Sequence, residues 1–313
     1  MTDDTRASAR GARAVEVAAQ AKINLRLRIL ARETSGYHQL ETLFLRIELA
    51  DTVRVRRTSG ARTLDVAGEV DRALIGPVEE NLAWRAAEAF FAASEMRGGF
   101  AIELTKRIPI GGGLGGGSAD AAAVLRALNA MDDESLESVV LLDLAAKLGA
   151  DVPFLATECA YALAWGRGER MLALDPPPAR DALLVVPPFS VNTAEAFGWL
   201  DALASMGGRR YRDVTVLRPA DLSDWDALKS LHMNAFEWPV EERHPELHEH
   251  HEFLRAQGCS VVMMSGSGST VFGIWTSPAA APPTEALPSE SAAGTRYIRT
   301  RTVSRVEQVS VIE

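Results

Sequence analysis

Residues 109–120 read Pro-Ile-Gly-Gly-Gly-Leu-Gly-Gly-Gly-Ser-Ala-Asp, and six of the seven positions from 111 to 117 are glycine. A loop this bare leaves its backbone N–H groups unshielded. Where it runs into a helix, the positive end of the helix dipole adds to them, and together they favour an anion, most often phosphate. A flexible linker is the alternative. It fits less well, because ordering glycines costs backbone entropy and linkers seldom join a strand to a helix. Lys106 and Arg107 directly precede the loop and are the local cations for a nucleotide, the other reading being a strand-end charge pair. Ser118 would cap the helix and contact either a phosphate oxygen or a Mg²⁺ ion beside it.

Several elements must hold this loop in place. Residues 100–105 predict a strand before it and 119–130 an alanine-rich helix after it. From 15 to 30 the chain alternates, with Val15, Val17, Ala19, Ala21, Ile23 and Leu25 on one parity. Gln20, Lys22, Asn24 and Arg26 fall on the other, which is the period of a half-buried strand. Lys22 and Asn24 therefore share a face. A turn at 34–37 leads into His38 and an apolar segment to Leu49, and 52–57 alternates again. Helices are predicted at 81–95 and 135–148, the second stopped by Gly149 just before Asp151-Val152-Pro153. On these residues alone Asp151 reads as a helix N-cap. Pro176-Pro177-Pro178 is a composition break. Beyond it come a strand at 182–186, a helix at 193–204, and strands at 261–264 and 270–275 around a second loop, Ser265-Gly266-Ser267-Gly268-Ser269. Residues 277–294 are rich in Ala, Pro and Ser and predict a flexible surface excursion, with a last strand at 297–303. Strands and helices mix without a regular βαβ rhythm, which places the chain in the α+β class.

Composition narrows the partners. A chain of 313 residues suggests two domains. The net charge of −9 argues against nucleic acid or an anionic membrane as partner. Cys159 and Cys259 lack metal spacing, which fits free thiols in a reducing compartment. No stretch approaches the ~18 uninterrupted apolar residues of a membrane span. Residues 1–14 are polar, carry Asp3 and Asp4, and read as a disordered extension; a cytoplasmic location follows as the expectation. His244, His248, His250 and His251 interleave with five glutamates between 241 and 252, a pattern that reads as a solvated charged helix before a metal site.

Three phosphate-binding patterns can be laid on the loop. A Walker A loop needs Gly-Lys followed by Ser or Thr, and no lysine follows these glycines. Gly111, Gly113 and Gly116 meet the dinucleotide pattern, but a helix is predicted where its second strand and ribose-binding acid belong. The third is Pro-x-x-x-Gly-Leu-Gly-x-x-Ser-Ala, met at Pro109, Gly113, Leu114, Gly115, Ser118 and Ala119. Here the chain resembles the GHMP kinase superfamily, small-molecule kinases of galactose, homoserine, mevalonate and phosphomevalonate. Ala21-Lys22-Ile23-Asn24-Leu25, Gly36-Tyr37-His38, Leu148-Gly149-Ala150-Asp151-Val152-Pro153-Phe154 and Asn234-Ala235-Phe236-Glu237 are similar to the branch that phosphorylates a cytidyl-diphosphate-linked methylerythritol. The resemblance runs from Ala21 to Trp275 in consistent order.

That resemblance implies a two-domain GHMP kinase fold. Residues 15–175 would form a ribosomal protein S5 domain 2-like domain for ATP and catalysis, and 176–313 a ferredoxin-like domain for the acceptor. ATP would lie along Pro109, Ile110, Gly111, Gly112, Gly113, Leu114, Gly115, Gly116, Gly117, Ser118 and Ala119, with Lys106 beside its phosphates and Asn81 reading adenine (or only capping its helix). Mg²⁺ would ride on the phosphates, which supply most of its ligands. Asp151 would take the acceptor hydroxyl's proton, and Lys22 would balance charge on the attacking oxygen. Asn24 would orient the acceptor. Tyr37 would stack on the cytosine, His38 would bond its edge, and Phe197, in a stretch with Thr193, would close the other side. Another GHMP kinase, or a silent ligand sensor on the same fold, are the rival readings; retention of both Lys22 and Asp151 speaks against the sensor.

Overall fold

The alternation expected from residue 15 produces β1 (Ala14–Arg32), paired antiparallel with β2 (His38–Thr58). The computed structural model describes residues 9, 11–68, 75–205, 217–283 and 287–313. The sequence divides β2 into two segments near Leu49, whereas the structure keeps one strand. The break is a bulge: Gln20 faces Ala50 and Lys22 faces Arg46, so two steps of β1 span four of β2. A bulge adds backbone without ending the ladder.

The chain continues through β3 (Thr63–Gly68), α1 (Leu82–Ala93), β4 (Gly99–Lys106), α2 (Gly116–Met131), α3 (Ser138–Leu148), α4 (Val152–Ala156), β5 (Tyr161–Gly166) and β6 (Arg170–Ala173). The second half contains β7 (Asp181–Val186), α5 (Thr193–Ser205), α6 (Pro219–Leu222), α7 (Trp225–Leu231), β8 (Met233–Asn234), α8 (Glu237–Glu241), α9 (Glu246–Ala256), β9 (Val261–Met264), β10 (Val271–Ile274), β11 (Arg296–Arg301) and β12 (Ser310–Val311). One sheet runs β12-β1-β2-β4-β3, with β5 and β6 extending from the first part of β2. The other is wholly antiparallel in the order β11-β7-β10-β9. Counted within that sheet the order is 4-1-3-2, the ferredoxin-like arrangement. Two short strands from beyond residue 176, β8 and β12, pair with β1 of the first sheet.

Helix α2 lies at the centre of the first layer, and every residue from Ala119 to Met131 is buried. Its alanines are the reason: small side chains let a helix approach its neighbours on all sides, here α1, α4 and β1. Helix α3 begins at Ser138, later than the expected 135, because the Asn129 side chain accepts from the Leu136 N–H at 2.7 Å and holds the preceding turn. Of the expected disordered extension, residues 1–8 and 10 lie outside the described residues. Gly11, Arg13 and Ala14 instead donate backbone hydrogen bonds to Met131 and Glu313, so this stretch is tied to the core. Within 277–294, a 3-10 turn (Pro278–Ala280) and a bridge from Glu290 to Arg296 are present; 284–286 lie outside the described residues.

Candidate active site

The glycine run, the first sheet and, from the second half of the chain, α5 and the second glycine loop border one cleft of about 1610 Å³. A pocket for one drug-sized ligand holds roughly 300–1,000 Å³, so this one has room for two substrates side by side. The candidate site residues line it except Arg107 and Ala119, the latter buried in the core below the first turn of α2. Ala119 is a packing residue because its helix begins earlier than expected, at Gly116 rather than 119.

Each glycine near that helix start has a local reason. Gly115 is the N-cap in the left-handed region at φ 72°, where a side chain is strained. The loop is also clasped by the β9–β10 connection and by β1. Ser265 Oγ donates to the Gly113 carbonyl at 2.9 Å, the Thr270 N–H donates to the Gly112 carbonyl, and Lys22 N–H in β1 donates to the Leu114 carbonyl. A Cβ on Gly113 would lie 2.1 Å from the Ser265 carbonyl oxygen, at a φ of +77°. A left-handed alanine costs roughly 1–2 kcal/mol before that clash is relieved. Gly113→Ala is therefore expected to raise the Kd of a fluorescent ATP analogue at least about tenfold. A titration giving the wild-type value would remove this loop from nucleotide binding.

Lys22 is buried, and its ammonium donates to Asn24 Oδ1 at 2.8 Å and to the Gly113 carbonyl at 2.9 Å. Asp151 Oδ2 stands 3.3 Å from the same nitrogen. The alternation that put Lys22 and Asn24 on one face holds here, because the register from Lys22 to Asn24 is regular and the shifts fall on either side. Asn24 Nδ2 donates to Thr42 Oγ1, which donates to the Arg26 carbonyl, so the amide's orientation is set from β2. Asp151 occupies the N-cap position of α4, yet its side chain makes no capping hydrogen bond. It is directed at Lys22 instead, with 30% of it exposed to the cleft.

On the acceptor side the expected residues already have partners within the chain. His38 stacks directly on Phe197, with ring centroids 4.5 Å apart and planes 17° from parallel. His38 Nε2 is hydrogen-bonded to Asp201 Oδ1 at 2.8 Å, and Phe197 also meets the edge of Phe236. Tyr37 is 60% exposed, and one face of its ring is covered by the Arg167 guanidinium at 3.9 Å. Arg167 is itself bonded to Glu33, whose carboxyl is held down at about 2 by those hydrogen bonds and one from Ser35. Thr193 Oγ1 is 2.9 Å from Ser267 Oγ, joining α5 to the second glycine loop. Asp201 and Arg167 were missed from sequence. Asp201 had a signal, four residues beyond Phe197 on the same helix; Arg167, between Gly166 and Gly168 in a hairpin turn, had none.

Lys106 needs correction as a cation for the nucleotide. It is buried, and its ammonium is bonded to Asp51 and, at 2.6 Å, to Asp120. Burial works to lower its pKa, but Asp120 and Asp51 outweigh that and hold it above the ordinary range. Burial pushes Asp120 up to about 7 against the pull of Lys106. The same holds around the cleft: Arg32, Lys147, Arg167 and Arg170 each have a carboxylate within the reach of an ion pair. The start of α2 adds to the cleft the backbone N–H groups that any helix N-terminus leaves without an internal partner. Asn81 caps α1 by accepting from the Ala83 N–H at 2.9 Å, and it borders the cleft as well.

The histidine-rich helix is only partly the solvated one expected. His251 is buried between Glu237 and Glu241, and Glu237 also accepts from the Met264 N–H. Burial alone would lower the His251 pKa, but the Glu237 hydrogen bond and charge raise it. This pair braces β9 where it enters the second glycine loop. Asn234 adds two hydrogen bonds there, to the carbonyls of Met264 and Gly266.

A glycine loop meeting a lysine–carboxylate pair, in a chain that joins an S5-like layer to a ferredoxin-like sheet, is the arrangement of GHMP kinases. The family model described as GHMP kinases N terminal domain matches residues 81–158, and GHMP kinases C terminal matches 220–286. The 4-diphosphocytidyl-2-C-methyl-D-erythritol kinase of Pelotomaculum thermopropionicum is 41% identical over 258 residues, covering 82% of this chain and 87% of that one. The protein of the same name from Heliobacterium modesticaldum is 36% identical over 92% of this chain and 96% of its own. A crystal structure of 4-(cytidine 5'-diphospho)-2C-methyl-D-erythritol kinase superposes with a TM-score of 0.71 at 35% identity, covering 92% of this chain and 98% of that one. Homoserine kinase from Cytophaga hutchinsonii shares the fold at 19% identity, with a TM-score of 0.68 over 96% of this chain and 98% of its own. The chain belongs to the 4-diphosphocytidyl-2-C-methyl-D-erythritol kinase family, and it is an ATP-dependent kinase.

Proposed function

We propose that this enzyme transfers the γ-phosphoryl group of ATP to the C2 hydroxyl of 4-diphosphocytidyl-2-C-methyl-D-erythritol, on the non-mevalonate route to isoprenoid precursors. The observation that carries the reading is the contact between loop and dyad. A Cβ on Gly115 would lie 3.1 Å from Lys22 Cε and 3.5 Å from Asp151 Oδ2. A phosphate on the loop and a hydroxyl at the carboxylate are then neighbours, as in-line transfer requires. Asp151 accepts the hydroxyl proton. Lys22 stays beside the oxygen as charge builds on it, and Asn24 directs the alcohol. The first half of the chain, 15–175, supplies the ATP site and the dyad; α5 of 176–313 supplies one wall for the cytidyl group.

Mg²⁺ accompanies ATP in this proposal. Among the described residues no three His, Cys, Asp or Glu side chains converge as a ligand set. The cation's oxygen donors would be the phosphates and water, a donor set that suits it. No described helix is long and apolar enough to cross a membrane, and we take the cytoplasm as the compartment of these small charged substrates.

The direct test is ATP turnover with and without the cytidyl substrate. Turnover dependent on that substrate supports the proposal; turnover with homoserine or phosphomevalonate in its place points to the rival kinases, and none at all points to a sensor. Phe197→Ala separates the two halves of the cleft. Losing a stacked ring of this kind removes roughly 0.5–1.5 kcal/mol, so KM for the cytidyl substrate should rise about two- to twelvefold while KM for ATP barely moves. Equal rises in both would place Phe197 in the general packing of α5.

A further inference from the structure

The buried group Asp51–Lys106–Asp120 lies behind the glycine loop and has no part in the chemistry above. Its geometry is directional. Asp51, on β2 and fully buried, uses Oδ1 to accept the N–H groups of Arg107 and Ile108, the two residues that lead from β4 into the loop. Its Oδ2 accepts from Lys106 at the end of β4. Lys106 then donates to Asp120 Oδ2 in α2, just past the loop's other end. Asp120 Oδ1 has no partner among the described residues. A Cβ on Gly116 would stand 3.5 Å from the Lys106 ammonium, so the helix start is packed against the same group. Burying three charges gains little over apolar packing of equal volume. An apolar cluster, however, could not bind two successive loop N–H groups and the far helix at once.

We infer that Asp51, acting through Lys106, fixes the separation between the two roots of the phosphate loop and is a positioning residue for ATP. The inference rests on the reading of the loop as the ATP site. Lys106 on this view is a tie between strand and helix and makes no contact with the nucleotide.

The test compares isosteric variants by their Kd for mant-ATP, read by fluorescence, and for the cytidyl substrate, read by calorimetry. Wild-type binding of mant-ATP is measured first; its absence defeats the kinase reading, whereas its presence with an unaffected Asp51→Asn defeats only this inference. An asparagine at 51 must turn a donor toward either the loop N–H groups or the Lys106 ammonium. Its mant-ATP Kd should rise about tenfold or more, with the cytidyl Kd changed less than about twofold. Asp120→Asn keeps an oxygen for Lys106 and puts its NH₂ where no partner stands, so its mant-ATP Kd should stay within about threefold of wild type. A raised Kd in Lys106→Met with an unchanged one in Asp51→Asn would show Lys106 touching the nucleotide itself and overturn the inference. Parallel loss of both ligands would overturn it too. Should Asp51→Asn prove insoluble, Lys106→Met/Asp120→Asn removes a cation and an anion together. Its Tm should recover relative to Lys106→Met while the mant-ATP Kd stays raised; recovery of both would sink the proposal.

Discussion

Asp151→Asn is expected to lower kcat by about 10²–10⁴, the contribution of a general base, while circular dichroism and Tm stay close to wild type. The structure explains why the two readouts separate. Asp151 sits at the N-cap position of α4 but does not cap it, so no helix bond is lost. Asparagine has the same shape and is itself a favoured N-cap residue. The ion pair with Lys22 is partly open to the cleft and contributes little to stability for that reason. What asparagine cannot do is accept the proton of a hydroxyl. Single-turnover rates with saturating ATP and cytidyl substrate make the measurement, and a variant that turns over at the wild-type rate would take Asp151 out of the mechanism.

Lys22→Met should be almost as severe, lowering kcat by about 10²–10³, the scale for removing one donor to a developing oxyanion. Methionine is unbranched and of similar length, so the β1 position can be filled. The ammonium's three partners, Asn24 Oδ1, the Gly113 carbonyl and Asp151, all lose it. Two of these keep other support: Ser265 still donates to Gly113, and Thr42 still holds Asn24. The loop and the amide should therefore stay in place, and the Kd of an ATP analogue should change less than about threefold. An affinity loss as large as the loss in kcat would mean that Lys22 works by holding the nucleotide, and the paired role with Asp151 would be wrong.

Much of the frame was legible because its signals are local. The parity of Ala19, Ala21 and Ile23 against Gln20, Lys22 and Asn24 is written in adjacent residues, and so is the helix stop before Asp151. The exact start of α2 was not legible, because Gly116 and Gly117 are poor helix formers whose place in the helix is set by Ile108 and Leu82 packing against them. His251 looked like one more solvated residue until Glu237 and Glu241 closed over it. Phe197 fitted both a helix face and an aromatic wall; in the structure it packs on the second core with His38 against its ring.

The sequence by itself determined that a bare backbone loop runs into a helix start, a place that favours an anion, since glycine content and the helix dipole need no distant partner. Its motif order also determined the family. Only the tertiary structure decided which charges are available. Lys106 and Asp51 are 55 residues apart and His38 and Asp201 are 163 apart, yet each pair is in hydrogen-bond contact. A lysine beside a phosphate loop reads as a phosphate ligand until the fold brings two carboxylates to it. Charge pairing depends on proximity in space, and β2, β4 and α2 meet at Lys106 only when the sheet and its helix have packed.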